Sequence, residues 1–140
     1  MIYNWVPRNR LSTCTLNMAQ ARRILHVEDD GDNREMVSLM LSEHQVISVE
    51  TYAAGLVAAR HQDFDLYLID NKLVDGLGVD LCREIRQFDK ETPIVFCSGF
   101  TDDAHQRKAL KLGATGFLAK PFVREGLLAV VEKHLAKDGR

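Results

Sequence analysis

Five short apolar runs, separated by stretches with helical spacing, constrain the fold of this chain more than any other feature. They cover residues 24–27, 46–49, 66–69, 94–97 and 117–118. None alternates cleanly between apolar and polar, as a strand with one wet face would. Runs of this kind suit parallel strands covered on both faces. Between them, apolar residues recur at spacings of three and four. Met36, Val37, Met40 and Leu41 share one helical face, Leu77, Leu81 and Ile85 a second, and Leu127, Val131 and Leu135, with Leu128, a third. Weaker helical stretches run over 53–61 and 102–112, and Gly113 is a natural stop for the latter. Five strands alternating with five helices predict a doubly wound α/β domain around a five-stranded parallel sheet.

That pattern occupies residues 21–137. Residues 1–20, with Trp5, Pro7, Asn9 and Ser12, follow no period and read as a flexible leader, and Met18 is a second candidate for the start. Residues 138–140 read as a tail, with no second domain expected. At 140 residues, 46% hydrophobic and 27% charged, the chain has the balance of one soluble domain. A formal net charge of -2 gives no bulk attraction to nucleic acid or anionic membrane, so neither is an expected partner. No apolar run approaches the roughly 20 residues of a membrane span. The three cysteines, Cys14, Cys82 and Cys97, have no metal-type spacing, and Cys82 and Cys97 sit among apolar residues. A reduced, cytoplasmic setting accounts for them most simply.

The polar residues that carry chemistry fall at the ends of the apolar runs. Glu28 and Asp29 follow the first, Asp70 closes the third, Ser98 the fourth and Lys120 the fifth. In an open parallel sheet the carboxyl ends of the strands share one edge, where ligands bind. With the flavodoxin-like strand order 2-1-3-4-5, all five residues line one crevice. Three carboxylates that close repel one another by a few kcal/mol per pair, at an effective dielectric of about 20. A hard divalent cation relieves this, and Mg²⁺ prefers a few carboxylates with waters and a phosphate oxygen. Lys120 adds a fixed positive charge and Ser98 a hydroxyl donor. Such a site suits a phosphoryl group, with the Asp70 carboxylate as its nucleophile.

These motifs resemble those of bacterial response-regulator receiver domains over roughly residues 22–137. Residues 23–30 resemble the family's first strand with its acidic pair. Residues 70–78 resemble the phosphoacceptor segment, with Gly78 at its glycine. Residues 93–99 resemble the fourth strand with its hydroxyl, and residues 113–122 the fifth strand with its Lys-Pro pair.

The resemblance implies that Asp70 is the phosphoacceptor and that Asp29 is a direct ligand of Mg²⁺, which Mn²⁺ can replace. Glu28 would act through water, the Lys72 backbone carbonyl would complete the protein ligands, and Ser98 and Lys120 would bind the phosphoryl oxygens. Phe117 falls on the switch aromatic, and the Lys120–Pro121 bond is often cis. Implied partners are a sensor histidine kinase or histidine phosphotransfer protein, a downstream protein effector, and a second copy through the fourth helix, fifth strand and fifth helix. No direct DNA contact is expected. Three positions depart from the family pattern. Val74 stands where proline is usual, which loosens the acceptor loop, and Glu28 stands for aspartate. Lys72 and Phe100 occupy sites that tune phosphorylation rates.

Plainer readings compete. Asp30 and Asp32 favour a helix N-terminus, with Asp32 or Gly31 near the cap. His26 reads as a core histidine, Phe117 as core or switch, and Arg107, Lys108 and Lys111 as a solvated helix face. A haloacid-dehalogenase-like phosphatase wants a second acid two residues after the nucleophile, where this chain has Lys72. A dinucleotide site wants a glycine-rich loop, where this chain has Glu28, Asp29, Asp30 and Asp32. A degenerate receiver serving as a constitutive binding module is the third alternative, and the full set of site residues argues against it.

Overall fold

The computed structural model describes residues 21–99 and 103–136. The leader over 1–20, Cys14, Phe100 and the tail lie outside the described residues.

The strands are β1 (Arg23–Val27), β2 (Gln45–Val49), β3 (Leu66–Asp70), β6 (Ile94–Ser98) and β7 (Gly116–Ala119). They form one parallel sheet in the order β2-β1-β3-β6-β7, which is the expected order. Helices α1 (Gly31–Met40), α2 (Tyr52–His61), α3 (Gly78–Arg86), α4 (Asp103–Lys111) and α5 (Arg124–Ala136) connect and follow them. A small antiparallel hairpin, β4 (Lys72–Leu73) and β5 (Gly76–Leu77), follows β3 and was not evident in the sequence.

The strand runs do not alternate because both faces of the sheet are covered. Leu25, Val27, Tyr67, Ile69, Ile94 and Phe96 pack on one side with Ala58, Leu81, Ile85 and Ala109. The intervening Ile24, Leu66, Leu68, Val95 and Cys97 pack on the other with Val37, Leu41, Leu127 and Val131. Successive residues of a strand point to opposite faces, so each run feeds two cores at once. His26, Cys82 and Cys97 are buried, as their surroundings in the sequence implied. Arg107, Lys108 and Lys111 are exposed. Gly113 follows α4 at φ +114°.

Two local expectations are corrected. Asp30, not Asp32 or Gly31, caps α1: its Oδ1 accepts from the amides of Asp32 at 2.8 Å and Asn33 at 3.2 Å. Leu77 does not join the buried stripe of Leu81 and Ile85. It lies on β5, one residue before the helix, and is exposed. Gly78, Cys82, Leu81 and Ile85 form the buried face of α3 instead.

Candidate functional site

Strand ends and the loops after them bring the charged residues together. The β1 run is buried from Ile24 onward and stops at Val27, so Glu28 and Asp29 emerge at its carboxyl end. Asp70 ends β3 beside them, and Lys120 follows β7 before a cis bond to Pro121. Glu28 and Asp70 are buried, whereas Asp29 is exposed. One oxygen from each of the three lies within 4.8 Å of the others. The Lys120 ammonium donates to Asp70 Oδ1 at 2.6 Å and to Glu28 Oε1 at 3.0 Å.

The charges at this edge do not balance. Three carboxylates against one ammonium leave two negative charges in excess. Two unit charges about 5 Å apart repel by roughly 3 kcal/mol at an effective dielectric of about 20. Burial pushes the Glu28 carboxyl above its ordinary value, and the hydrogen bond from Lys120 offsets this only in part, with Asp70 adding to it. Burial works against the charge of Lys120, but hydrogen bonds to Asp70 and Glu28 outweigh it and hold the ammonium above the ordinary lysine value. The donor set therefore fits a hard divalent cation of the Mg²⁺ kind, which would neutralise the excess through oxygen ligands.

The two oxygens of Glu28 are already used. Oε1 accepts from Lys120, and Oε2 accepts from the Asp30 amide at 3.3 Å. Arg34 reaches back from α1 to the Glu28 carbonyl at 2.8 Å and lies 3.4 Å from Glu50, fixing the loop that presents the acids.

Ser98, Lys72 and Phe117 line one cavity next to the acceptor segment. Asp70 pairs in register with Cys97, so Ser98 lies one residue further along the neighbouring strand. The Lys120 amide donates to the Ser98 carbonyl at 3.0 Å, and the Asn71 amide to the Cys97 carbonyl at 3.1 Å. A cavity of about 270 Å³ beside the acceptor segment is lined by Asn71, Lys72, Phe96, Ser98, Lys108 and Phe117. Phe117 is half-buried there, its ring 6.4 Å from that of Phe96.

Backbone contacts explain why the acceptor segment needs Gly78. Its amide donates to the Asn71 carbonyl at 2.7 Å, and a Cβ there would overlap the Asp70 carbonyl oxygen. Sequence reasoning missed Arg34, Tyr52 and Asp75. The partners of Asp75 lie on α2, 22 and 23 residues away in the chain, so no local spacing announces them.

Comparisons with known proteins agree with this geometry. The family model "Response regulator receiver domain" matches residues 24–132. The transcriptional regulatory protein GltR of Pseudomonas aeruginosa is 35% identical over 123 residues, covering 85% of this chain and 51% of that protein. The chain spans about half the length of the curated relatives it matches. Among solved structures, a CheY-like receiver domain from Methanospirillum hungatei aligns with a TM-score of 0.80 at 23% identity, covering 85% of this chain and 97% of that one. The receiver domain of the sensor histidine kinase PA1611 from Pseudomonas aeruginosa, described with a magnesium ion coordinated in its active site cleft, aligns with a TM-score of 0.76 at 27% identity, covering 83% of this chain and 98% of that one. The doubly wound sheet, the acidic edge and these matches agree: the chain belongs to the response regulator receiver domain family of two-component signalling.

Proposed function

We propose that Asp70 accepts a phosphoryl group from a phosphohistidine, with Mg²⁺ held beside it. The observation that carries this reading is the Lys120 ammonium, bound to Asp70 and Glu28 at an edge where three carboxylates converge. A carboxylate oxygen of Asp70 attacks phosphorus, the phosphorus–nitrogen bond of the donor breaks, and the imidazole leaves. Lys120 binds a transferring oxygen, and the Ser98 hydroxyl donates to another. Asp29 is the exposed direct metal ligand, and the Lys72 carbonyl completes the protein ligands. Glu28 has both oxygens in hydrogen bonds, which favours a role through water. Mg²⁺, or Mn²⁺ in its place, would offset charge on the phosphoryl oxygens. The magnesium described for the PA1611 receiver domain supports the same assignment.

The acyl phosphate carries about -1.5 to -2 charges where the Asp70 carboxylate carried -1, so the site gains up to about one negative charge. Ser98 follows the new oxygens, and Phe117, in the same cavity, shifts with it, biasing the α4-β7-α5 face toward its bound form. That face then meets a protein effector or a second copy of the chain, and a histidine kinase or phosphotransfer protein is the donor. The relatives qualify the expectation about DNA. GltR is a transcriptional regulatory protein of which the matched region is about half, so a transcriptional output in a longer protein is compatible with this domain. For this chain, a net charge of -2 argues against direct DNA contact.

Incubation with Mg²⁺ and acetyl phosphate, followed by mass spectrometry, tests the assignment. Wild type gains an acid-stable, base-labile phosphoryl group and Asp70→Asn does not. Equal labelling of the variant, or none of wild type, overturns it.

A further inference from the structure

A carboxylate at the tip of the hairpin after Asp70 reaches a distant helix. Lys72 pairs with Leu77 and Leu73 with Gly76, so Val74 and Asp75 form the two-residue turn at its tip. From that tip, Asp75 Oδ1 accepts the Tyr52 amide at 2.7 Å and Oδ2 accepts the Ala53 amide at 3.1 Å. These are the first two amides of α2, which no residue of the helix itself can satisfy. The local cap, Thr51, takes only the third, the Ala54 amide, at 3.0 Å. A negative charge there also faces the positive end of the helix dipole.

Tyr52 completes the tie. Its ring lies so close to Gly76 that a Cβ would stand 2.6 Å from it, and its hydroxyl donates to Glu84 on α3. The tip of the hairpin is thus held between α2 and α3, while its base is closed by the bond from Gly78 to Asn71. Val74, the other residue of the turn, is exposed and has no ring to fix its backbone.

We infer that Asp75 is a positioning residue for the metal site, acting through the hairpin to hold the Lys72 carbonyl in place. The inference rests on the site proposed above, in which that carbonyl is a ligand. Groups that orient metal ligands without touching the ion commonly change affinity by about 10- to 100-fold when removed. Asp75 works through a backbone segment, which places its effect near the lower figure.

Calorimetric titration of Mg²⁺ into wild type, Asp75→Ala, Asp75→Asn and Thr51→Ala tests this, with acetyl phosphate labelling alongside. Thr51→Ala removes a cap from the same helix without touching the hairpin, so it separates positioning from mere helix stability. Asp75→Ala is expected to weaken Mg²⁺ binding about tenfold. At saturating Mg²⁺ its labelling rate returns toward that of wild type. Asp75→Asn, which keeps one accepting oxygen, falls between the two, and Thr51→Ala loses thermal stability but keeps wild-type affinity. Unchanged affinity in Asp75→Ala, as expected if burial of Leu73 alone anchors the hairpin, overturns the inference. An equal loss in Thr51→Ala overturns it too. Wild type that binds no Mg²⁺ overturns the site reading and this inference with it.

Discussion

The Lys120 ammonium lies 2.6 Å from Asp70 Oδ1, and that contact is made because β3, β6 and β7 lie side by side in the parallel sheet and bring the ends of distant segments to one edge. Removing the ammonium leaves Asp70 and Glu28, both buried, beside Asp29 with no cation among them. Taking away one partner of a buried pair costs more than the pair contributes. Lys120→Ala is therefore expected to lose about 1–2 kcal/mol of stability without divalent cations. Added Mg²⁺ should stabilise this variant more than it stabilises wild type. Urea unfolding with and without Mg²⁺ checks both signs, and an equal Mg²⁺ increment in the two proteins contradicts the expectation.

Asp29 differs from its two acidic neighbours in being exposed, so its removal opens no cavity. Asp29→Asn relieves repulsion in the metal-free protein and removes a direct ligand from the loaded one. The metal-free variant should be as stable as wild type or more so, by up to about 1 kcal/mol. Its Mg²⁺ affinity should fall by at least about tenfold. Calorimetry and unfolding on the same samples read these opposite effects. A parallel loss of stability and affinity would mean that Asp29 holds the loop rather than the ion.

Much of the fold was legible because parallel strands buried on both faces leave dense apolar runs at 24–27, 66–69 and 94–97. The charged edge was legible for the same reason: Glu28, Asp70, Ser98 and Lys120 stand where those runs stop. What stayed hidden depends on contacts between segments far apart in sequence. The β4–β5 hairpin has only two residues per strand, too few to show a period. Asp75 looks like an ordinary turn residue until α2 is placed beside it. Leu77 fits a helical stripe by spacing alone, and only the hairpin explains why it faces solvent.

The displaced stripe gives a direct comparison of two leucines four residues apart. Leu81 is fully buried against the sheet, and Leu77 is 42% exposed on β5. Leu81→Ala should cost about 2–5 kcal/mol, because it removes transfer energy and leaves a cavity. Leu77→Ala should stay within about 0.5 kcal/mol of wild type. Denaturant unfolding of the two variants decides between this arrangement and a helix that starts earlier, for which both costs would be large.

Asp89 makes acid stability a test of the far end of the sheet. Its Oδ1 accepts from the amides of Thr92 at 3.1 Å and Glu91 at 3.2 Å, and Oδ2 accepts from the Tyr67 hydroxyl at 2.8 Å. Burial works to raise this carboxyl, but the hydrogen bonds, those from Thr92 first, outweigh it and hold it below the usual aspartate range. A depressed folded-state value means that the ionised group favours the folded state. Its contribution is complete above the unfolded-chain value, at about pH 4, and disappears as pH falls through the lower folded value. Asp89→Asn keeps the shape and loses the charge, so its deficit against wild type should be largest at neutral pH. Urea unfolding of both proteins from neutral pH down to about pH 3 should show the deficit shrinking only below about pH 4. A deficit that is constant across that range would mean that the carboxylate charge contributes nothing to these hydrogen bonds.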